Sequence, residues 1–172
     1  GHYQSLHDAV TRAADKGIFF AIAAGNDRDN ANNYEPAHVE HPLVYTISAV
    51  EVQDIFASFS NYMNPPIDFA APGVGILSSR TGGGVVSYSG TSMATPLVSG
   101  LAALMWSRHP SHTHAKIKQC LQDTAIKLGS GTFDNAWGHG RVDAHAALKC
   151  GDLVIMPSTI KVTCPDLKSR LV

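Results

Sequence analysis

Long apolar runs and an excess of charge of either sign are both absent from this 172-residue sequence. The longest apolar stretches, IFFAIAAG and LAALMW, fall short of the roughly 18 to 20 residues that a membrane-spanning helix needs. Thirteen basic side chains stand against fourteen acidic ones, for a formal net charge of -1. Neither a nucleic acid nor a membrane is therefore indicated as a partner, and the function must be argued from a site.

The beginning of the sequence also lacks familiar features. The first residues, GHYQSLHD, include no initiator methionine, no basic start and no apolar signal stretch. We expect from this that the chain begins within a longer protein. With 44% hydrophobic residues, the length suits one substantial core and so a single domain or a piece of one.

Cysteine is scarce. Cys120, Cys150 and Cys164 are odd in number, and no two of them form a C-x-x-C pair. One disulfide with one free thiol is typical of a secreted protein, while three buried thiols would suit a cytosolic one. The sequence leaves both arrangements open, and with them the pairing.

The apolar pattern in the first fifty residues predicts a helix followed by buried strands. YQSLHDAVTRAADKG places Leu6, Val10 and either Ala13 or Ala14 on one helical face, and Gly17 supplies the helix end. IFFAIAA is continuously apolar, which predicts a strand buried on both faces, as in a parallel sheet. LVYTISAV predicts a second such strand. This alternation is typical of an α/β fold.

The rest of the chain continues the pattern. IDFAAPGVGILSS predicts short extended pieces broken at Pro72 and Gly73, and GGGVVSYSG predicts a turn and one more strand. SMATPLVSGLAALMWSR is apolar nearly all round, which predicts a helix buried in the core. Shorter helices follow, capped by Thr113 and Asp143. Beyond Cys150, DLVIM and TIKVT predict a β-hairpin outside the main core.

Ser92 lies between a glycine turn and the predicted buried helix. A serine hydroxyl becomes an effective nucleophile only when a base takes its proton and donors stabilise the oxyanion. Gly90 has no β-carbon, so a substrate backbone can approach closely. The start of a helix also presents N–H groups and a positive dipole to developing negative charge. The alternative, which needs no chemistry, is that Thr91 or Ser92 caps the helix.

Asn26 follows a buried strand, in the segment AIAAGN. The carboxyl end of a parallel strand is where open α/β sheets place their ligand sites, and an asparagine amide can donate a hydrogen bond to an oxyanion. An asparagine after a glycine is also an ordinary turn residue. From the residues alone, both a turn and an oxyanion donor stay open here.

These motifs resemble those of the subtilisin-like serine proteases, or subtilases. GTSMATP (90–96) is similar to the family's nucleophile motif and AAGN (23–26) to its oxyanion-asparagine motif. FASFSN, DFAAPGVGILSS and GHGRVDAHAAL also match in order and separation. The resemblance covers about residues 3–149 and implies the C-terminal portion of a three-layer α/β fold with a parallel sheet. Residues 1–149 would form the C-terminal part of a catalytic domain, and 150–172 a C-terminal extension.

The resemblance implies a serine endopeptidase that cleaves peptide or protein substrates through an acyl-enzyme on Ser92. Asn26 would be the side-chain donor of the oxyanion hole, with the Ser92 backbone N–H as the second donor. The protease would be secreted and made with a removable propeptide. The substrate-binding positions implied by the motifs are Ala23, Ala24, Gly25, Gly90 and Thr91.

No cofactor is required for this chemistry, but subtilases often bind calcium as a structural ion. The acidic, oxygen-rich loop Asp27–Asn33 is a candidate calcium site, and a solvated loop is the alternative. The resemblance also implies a cis peptide bond at Glu35-Pro36. His109, His112 and His114 are spaced like metal ligands, but no fourth ligand is in place.

The aspartate and histidine motifs of the family are missing from the sequence. A protease of this type needs a histidine base and an aspartate that orients it. In subtilases both come well before the oxyanion asparagine, and only 25 residues precede Asn26 here. We expect both groups on an N-terminal part of the protease, upstream of this chain, and expect the chain alone to be inactive.

Two other functions compete with this interpretation. An α/β-hydrolase-type esterase is one, because GTSMA approximates the G-x-S-x-G elbow and Asp134 and His139 follow Ser92 in that fold's order. Against it, Ala94 replaces the last elbow glycine and AAGN has no role in that fold. The other is a degenerate, non-catalytic subtilase used for binding, which the intact Ser92 and Asn26 disfavour.

Overall fold

A computed structural model describes residues 3–63, 65–129 and 134–152. The helices and strands alternate in the order expected of an α/β protein. The hairpin predicted beyond Cys150 lies outside the described residues. The elements are α1 (Gln4–Ala14), β1 (Phe20–Ala23), a 3-10 turn (Ala31–Asn33), β2 (Val44–Val50), β3 (Ile67–Pro72), β4 (Ile76–Ser79), β5 (Val85–Tyr88), α2 (Thr91–Arg108), α3 (His114–Thr124) and α4 (Ala144–Lys149).

A parallel sheet in the order β1-β2-β3 forms the centre, and β4 and β5 pair as a separate antiparallel hairpin. Every residue of β2 is buried, which confirms the strand predicted from LVYTISAV. β1 is less buried than predicted: Ile18, just before it, is 52% exposed, and Phe20 is half-buried. The reason is its place at the edge, since no described strand pairs with its other side.

Helices cover both faces of the parallel sheet. On one face, Val10 and Ala14 of α1 pack with Ile22 and Val44. On the other face, Tyr45 belongs to the larger cluster formed with α2, α3 and α4. Because side chains alternate along a strand, neighbouring residues of β2 point into opposite layers. This gives the three layers that the family resemblance implied.

Three predicted helix ends are confirmed. The Thr113 side chain accepts a hydrogen bond from the Lys116 N–H at 3.2 Å, at the start of α3. Asp143 accepts one from the Ala146 N–H at 3.0 Å, at the start of α4. After α1, Gly17 adopts a φ of +85°, the left-handed conformation that ends helices.

Helix α2 is not buried all round, contrary to the prediction from its composition. Leu97 is 43% exposed and Leu104 is 57% exposed, and a groove of about 460 Å³ runs beside them. The reason is that no element within the described residues covers this face. Among the described residues, none of the helices has the length and hydropathy of a membrane span. The buried face of α2 consists of Thr91, Ala94, Val98, Leu101, Ala102 and Met105.

The covalent features left open by the sequence are partly resolved. Cys120 in α3 and Cys150 after α4 form a disulfide, with their Cα atoms 5.6 Å apart. The structure therefore contains a disulfide and not three separate thiols. Cys164 lies outside the described residues. The Glu35-Pro36 peptide bond is cis, as the family resemblance implied.

Candidate active site

Asn26 and Ser92 lie at the same edge of the sheet. Asn26 follows the end of β1, and the turn that contains Gly90 is held at the end of β3 by a 2.8 Å hydrogen bond from the Gly90 N–H to the Gly73 carbonyl. The carboxyl ends of parallel strands meet at one edge, where α/β proteins place their ligand sites. The predicted position of Asn26 at this edge is confirmed.

The Asn26 side chain is tied directly to the serine turn. Its Oδ1 accepts hydrogen bonds from the Thr91 N–H at 2.8 Å and from the Thr91 hydroxyl at 3.0 Å. The same hydroxyl oxygen accepts a bond from the Gly25 N–H at 3.2 Å. A backbone N–H can only donate, so this contact fixes which way the Asn26 amide points. The Nδ2 group is left to donate elsewhere, and it has no acceptor within the described part of the chain.

Ser92 is exposed in the first turn of α2. The first N–H groups of a helix have no acceptor within it. The Met93 N–H is taken by the Gly90 carbonyl at 3.0 Å, whereas the Ser92 N–H has no acceptor among the described residues. Gly90 is the N-cap and makes no side-chain capping bond, and the Thr91 N–H is instead bonded to the Asn26 Oδ1. The alternative that Thr91 or Ser92 caps the helix is wrong, because the N-cap is Gly90 and both residues lie within the first turn.

The residues predicted to bind substrate lie in different environments. Thr91 and Ala24 are fully buried, so the Thr91 hydroxyl acts inside the turn and the Ala24 side chain offers no exposed surface. Ala23 and Gly25 are half-buried. A β-carbon at Gly90 would lie 3.6 Å from the Asn26 Nδ2, so glycine leaves the amide uncovered. The accessible part of this set is therefore Ala23 and Gly25, since Gly90 is buried as well.

Asn61 is a residue whose role was not predicted. Its buried side chain accepts hydrogen bonds from the N–H groups of Asp27 at 2.9 Å and Asp29 at 3.0 Å, and donates one to the Ala24 carbonyl at 3.0 Å. It therefore fixes the backbone on both sides of Asn26. The available signal was its place in FASFSN, a segment that matches the family but was assigned no role.

Replacing Gly25 with alanine should destabilise this turn. Gly25 has a φ of +105°, and a β-carbon there would lie 2.3 Å from the Asn61 Nδ2. We expect Gly25→Ala to lower the free energy of unfolding by about 2 to 3 kcal/mol. Gly100→Ala is the control, because open space surrounds that helical glycine; it should raise the free energy of unfolding by roughly 0.5 to 1 kcal/mol. Urea unfolding curves compare them, and equal midpoints would contradict the assignment.

No histidine that the structure describes is hydrogen-bonded to Ser92. His109, His112 and His114 follow the far end of α2, which at 18 residues is about 27 Å long. The rings of His109 and His112 stack with centroids 4.5 Å apart, whereas His114 packs against Trp106. Their ring positions do not form a three-ligand metal group within the described ranges.

Asp134 and His139 do not form the acid–base pair that the esterase alternative requires. Asp134 Oδ1 accepts a hydrogen bond from the Ala136 N–H at 2.8 Å. His139 Nε2 is hydrogen-bonded to Gln122 at 3.0 Å, and its ring packs 5.7 Å from that of Phe69. Burial lowers the pKa of His139. Both side chains therefore have structural contacts away from Ser92.

The loop Asp27–Asn33 uses its acidic oxygens internally. Asp29 accepts hydrogen bonds from the Asn30 N–H at 2.7 Å and, at 3.3 Å each, from the Asn33 amide and the Tyr34 hydroxyl. The bond from the Asn30 N–H is the main reason that the pKa of Asp29 is lowered. A calcium ion would have to compete with these donors, and its binding here stays a prediction.

Comparison with known proteins agrees with this geometry. The subtilase family matches residues 1–140. Over 142 residues, the chain is 49% identical to subtilisin-like protease 4 of Trichophyton equinum and 42% identical to subtilisin-like protease 4 of Arthroderma benhamiae. Each of these alignments covers 81% of this chain and 35% of the relative. A thermostable alkaline protease of Halalkalibacterium halodurans is 45% identical over 143 residues, covering 83% of this chain and 38% of the relative. The chain thus spans little more than a third of these relatives, and it belongs to the subtilase family.

Proposed function

We propose that this chain is the C-terminal part of the catalytic domain of a secreted serine endopeptidase. The observation that carries the proposal is the pair of hydrogen bonds from Thr91 to Asn26, at 2.8 and 3.0 Å. They hold an amide donor beside the turn that contains the exposed Ser92. The family membership and the protease names of the relatives support the same function. They do not support the α/β-hydrolase alternative.

The chemistry is acyl transfer through Ser92. The Ser92 Oγ attacks the carbonyl carbon of an extended peptide while its proton passes to a histidine on the upstream segment. The electron pair of the carbonyl moves to oxygen, and the resulting oxyanion accepts hydrogen bonds from the Asn26 Nδ2 and the Ser92 N–H. The C–N bond then breaks, and the leaving amine takes the proton from the histidine. Water releases the acyl group by the same steps, which regenerates the Ser92 hydroxyl.

The upstream segment is the partner that this mechanism needs. Two features of the described chain support it: the exposed apolar face of α2 around Leu97 and Leu104, and the unpaired edge of β1. An upstream strand and helix could cover both, which would bring an aspartate and a histidine to the edge where Ser92 lies. Because no histidine among the described residues is hydrogen-bonded to Ser92, we expect the chain to be inactive without that segment.

Secretion and a propeptide complete the proposal. The disulfide between Cys120 and Cys150 is typical of proteins that fold in an oxidising compartment. A propeptide that leaves after folding would suit a protease that must not act before export. No cofactor is required, because a serine, a histidine, an aspartate and two donors suffice for the reaction. A structural calcium ion remains a proposal.

Thr91 is a positioning residue in this mechanism, and its hydroxyl can be removed without changing the shape of the side chain. Thr91→Val removes the bonds to Asn26 and Gly25. We expect kcat to fall about 10- to 100-fold with little change in KM, because the oxyanion donor is less well oriented. Thr95→Val is the control, since its hydroxyl bonds only to the Thr91 carbonyl at 2.8 Å. An equal fall in both variants would contradict the role of Thr91.

The proposed function is tested on the completed protein, by which we mean this chain joined to its upstream segment. The completed protein is incubated with unfolded casein, and the products are identified by mass spectrometry. We expect cleavage at internal peptide bonds that a serine-directed sulfonyl fluoride abolishes. Hydrolysis of esters alone would favour an esterase, and binding of casein without cleavage would favour a degenerate subtilase. Either result would overturn the proposal.

A further inference from the structure

His7, Glu35 and His38 bring three metal-ligating side chains together on the side of the sheet that α1 covers. His7 lies in α1, and the other two lie in the turn that precedes β2. The Glu35 Oε1 is 3.1 Å from the His38 Nδ1 and 4.0 Å from the His7 Nδ1. All three ligand atoms lie within 4.8 Å of one another. None of these three residues belongs to the serine turn or is assigned a role in the proposed proteolysis.

The burial of the cluster is typical of a built site more than of a surface ion pair. The Glu35 side chain is 2% exposed, while those of His7 and His38 are 30% and 21% exposed. A buried carboxylate is costly unless charged or polar groups compensate it. The two imidazole rings lie beside each other, with centroids 4.9 Å apart and planes inclined by 33°. The carboxylate is therefore the most buried of the three groups, and the two imidazoles are its partly exposed neighbours.

Two histidines and one glutamate are a ligand set that zinc accepts. Zinc binds imidazole nitrogen and carboxylate oxygen at about 2.0 to 2.2 Å in a tetrahedral arrangement, and a site with three protein ligands keeps water in the fourth position. Tetrahedral ligand atoms are then about 3.3 Å apart. The Glu35–His38 separation of 3.1 Å already fits. The His7 Nδ1 must move from 4.0 Å to about 3.3 Å from the Glu35 Oε1. The ligand atoms, now up to 4.8 Å apart, must close to the same spacing, and a rotation of the partly exposed His7 side chain is the movement required.

We propose that His7, Glu35 and His38 bind one Zn²⁺ ion. The ion links α1 to the turn before β2, two elements that otherwise meet through the small apolar cluster around Val10 and Val44. Because the ion binds the folded chain and an unfolded chain lacks the arrangement, zinc raises the stability of the folded state. The proposal does not depend on proteolytic activity.

The test measures zinc binding by the full, untagged protein after treatment with a chelator. Equilibrium dialysis against ZnCl₂, with metal analysis of the protein, should give one bound zinc per chain at micromolar concentration. Zinc at 100 times its dissociation constant should raise the melting temperature by roughly 5 to 10 °C. His7→Ala and Glu35→Gln should each weaken binding by more than about 100-fold, since even outer-shell changes cost 10- to 100-fold.

His7→Ala is the decisive variant, because it places a good helix former on a partly exposed face of α1. It settles the question even if Glu35→Gln fails to fold. His41→Ala and His112→Ala are the controls. His41 lies 3.3 Å from Asp15, and His112 stacks on His109, so each variant removes a histidine that contacts an acidic or histidine side chain outside the proposed site. Both should bind zinc as the parent does. Absence of bound zinc at about 100 µM, unchanged affinity in His7→Ala, or loss of affinity in His112→Ala would overturn the proposal.

Discussion

Ser92→Ala should reduce the kcat of the completed protein by about 10⁶-fold, the loss known for removal of the nucleophile in subtilisin. The substitution removes only the hydroxyl of an exposed side chain in the first turn of α2. The fold and the oxyanion donors should therefore be retained. KM should change little, because the substrate contacts remain. Steady-state hydrolysis of a peptide anilide, with a titrated enzyme concentration, measures both constants.

Ser99→Ala is the matched control for that result. Ser99 is also an exposed serine of α2, and its hydroxyl donates only a long bond of 3.4 Å to the Thr95 carbonyl. Its replacement should leave kcat and KM unchanged. If Ser92→Ala retained more than about a hundredth of the parent activity, Ser92 would not be the nucleophile.

Asn26→Asp should lower kcat by about 10²- to 10³-fold, the cost known for loss of the equivalent donor in subtilisin. The aspartate keeps an oxygen for the two bonds from Thr91 but puts a second oxygen where the Nδ2 donor was. A negative charge there also repels the oxyanion. The substitution therefore separates donation to the transition state from support of the serine turn.

Asn26→Leu completes the comparison, because it removes both the donor and the acceptor. This variant should lose activity to a similar extent and should also unfold at lower urea concentration, since the buried Thr91 N–H loses its partner. Asn26→Asp should keep the parent's unfolding midpoint. If Asn26→Asp retained full activity, Asn26 would have only a structural role.

The sequence predicted which residues form the site better than it predicted the hydrogen bonds that hold them. Ser92 and Asn26 were identifiable because a nucleophile turn and an oxyanion asparagine leave short, specific motifs. The position of Asn26 at a strand end followed from the buried apolar run before it. The hydrogen bonds of Thr91 and Asn61 were not predictable, since they join segments that are 32 to 66 residues apart. Only the folded chain shows which polar groups meet.

The fold was predicted in outline, and the errors have a common physical cause. β2 and the capped helices α3 and α4 were recognisable because their partners lie within this chain. α2 was predicted to be buried all round, and β1 on both faces, from apolar composition. The apolar composition of a segment reflects all the surface that it buries in the complete protein. The described residues cover only one face of α2. The difference locates the surface that we assign to the upstream segment.

Labelling of Ser92 by a fluorophosphonate tests the central claim most directly, namely that this chain carries the nucleophile and the oxyanion donor while the base lies upstream. The reagent is applied to the isolated chain and to the completed protein, and the modified peptide is identified by mass spectrometry. We predict rapid labelling of Ser92 in the completed protein and only background labelling in the isolated chain. Equally rapid labelling of the isolated chain, or labelling of the completed protein at a residue other than Ser92, would contradict the account.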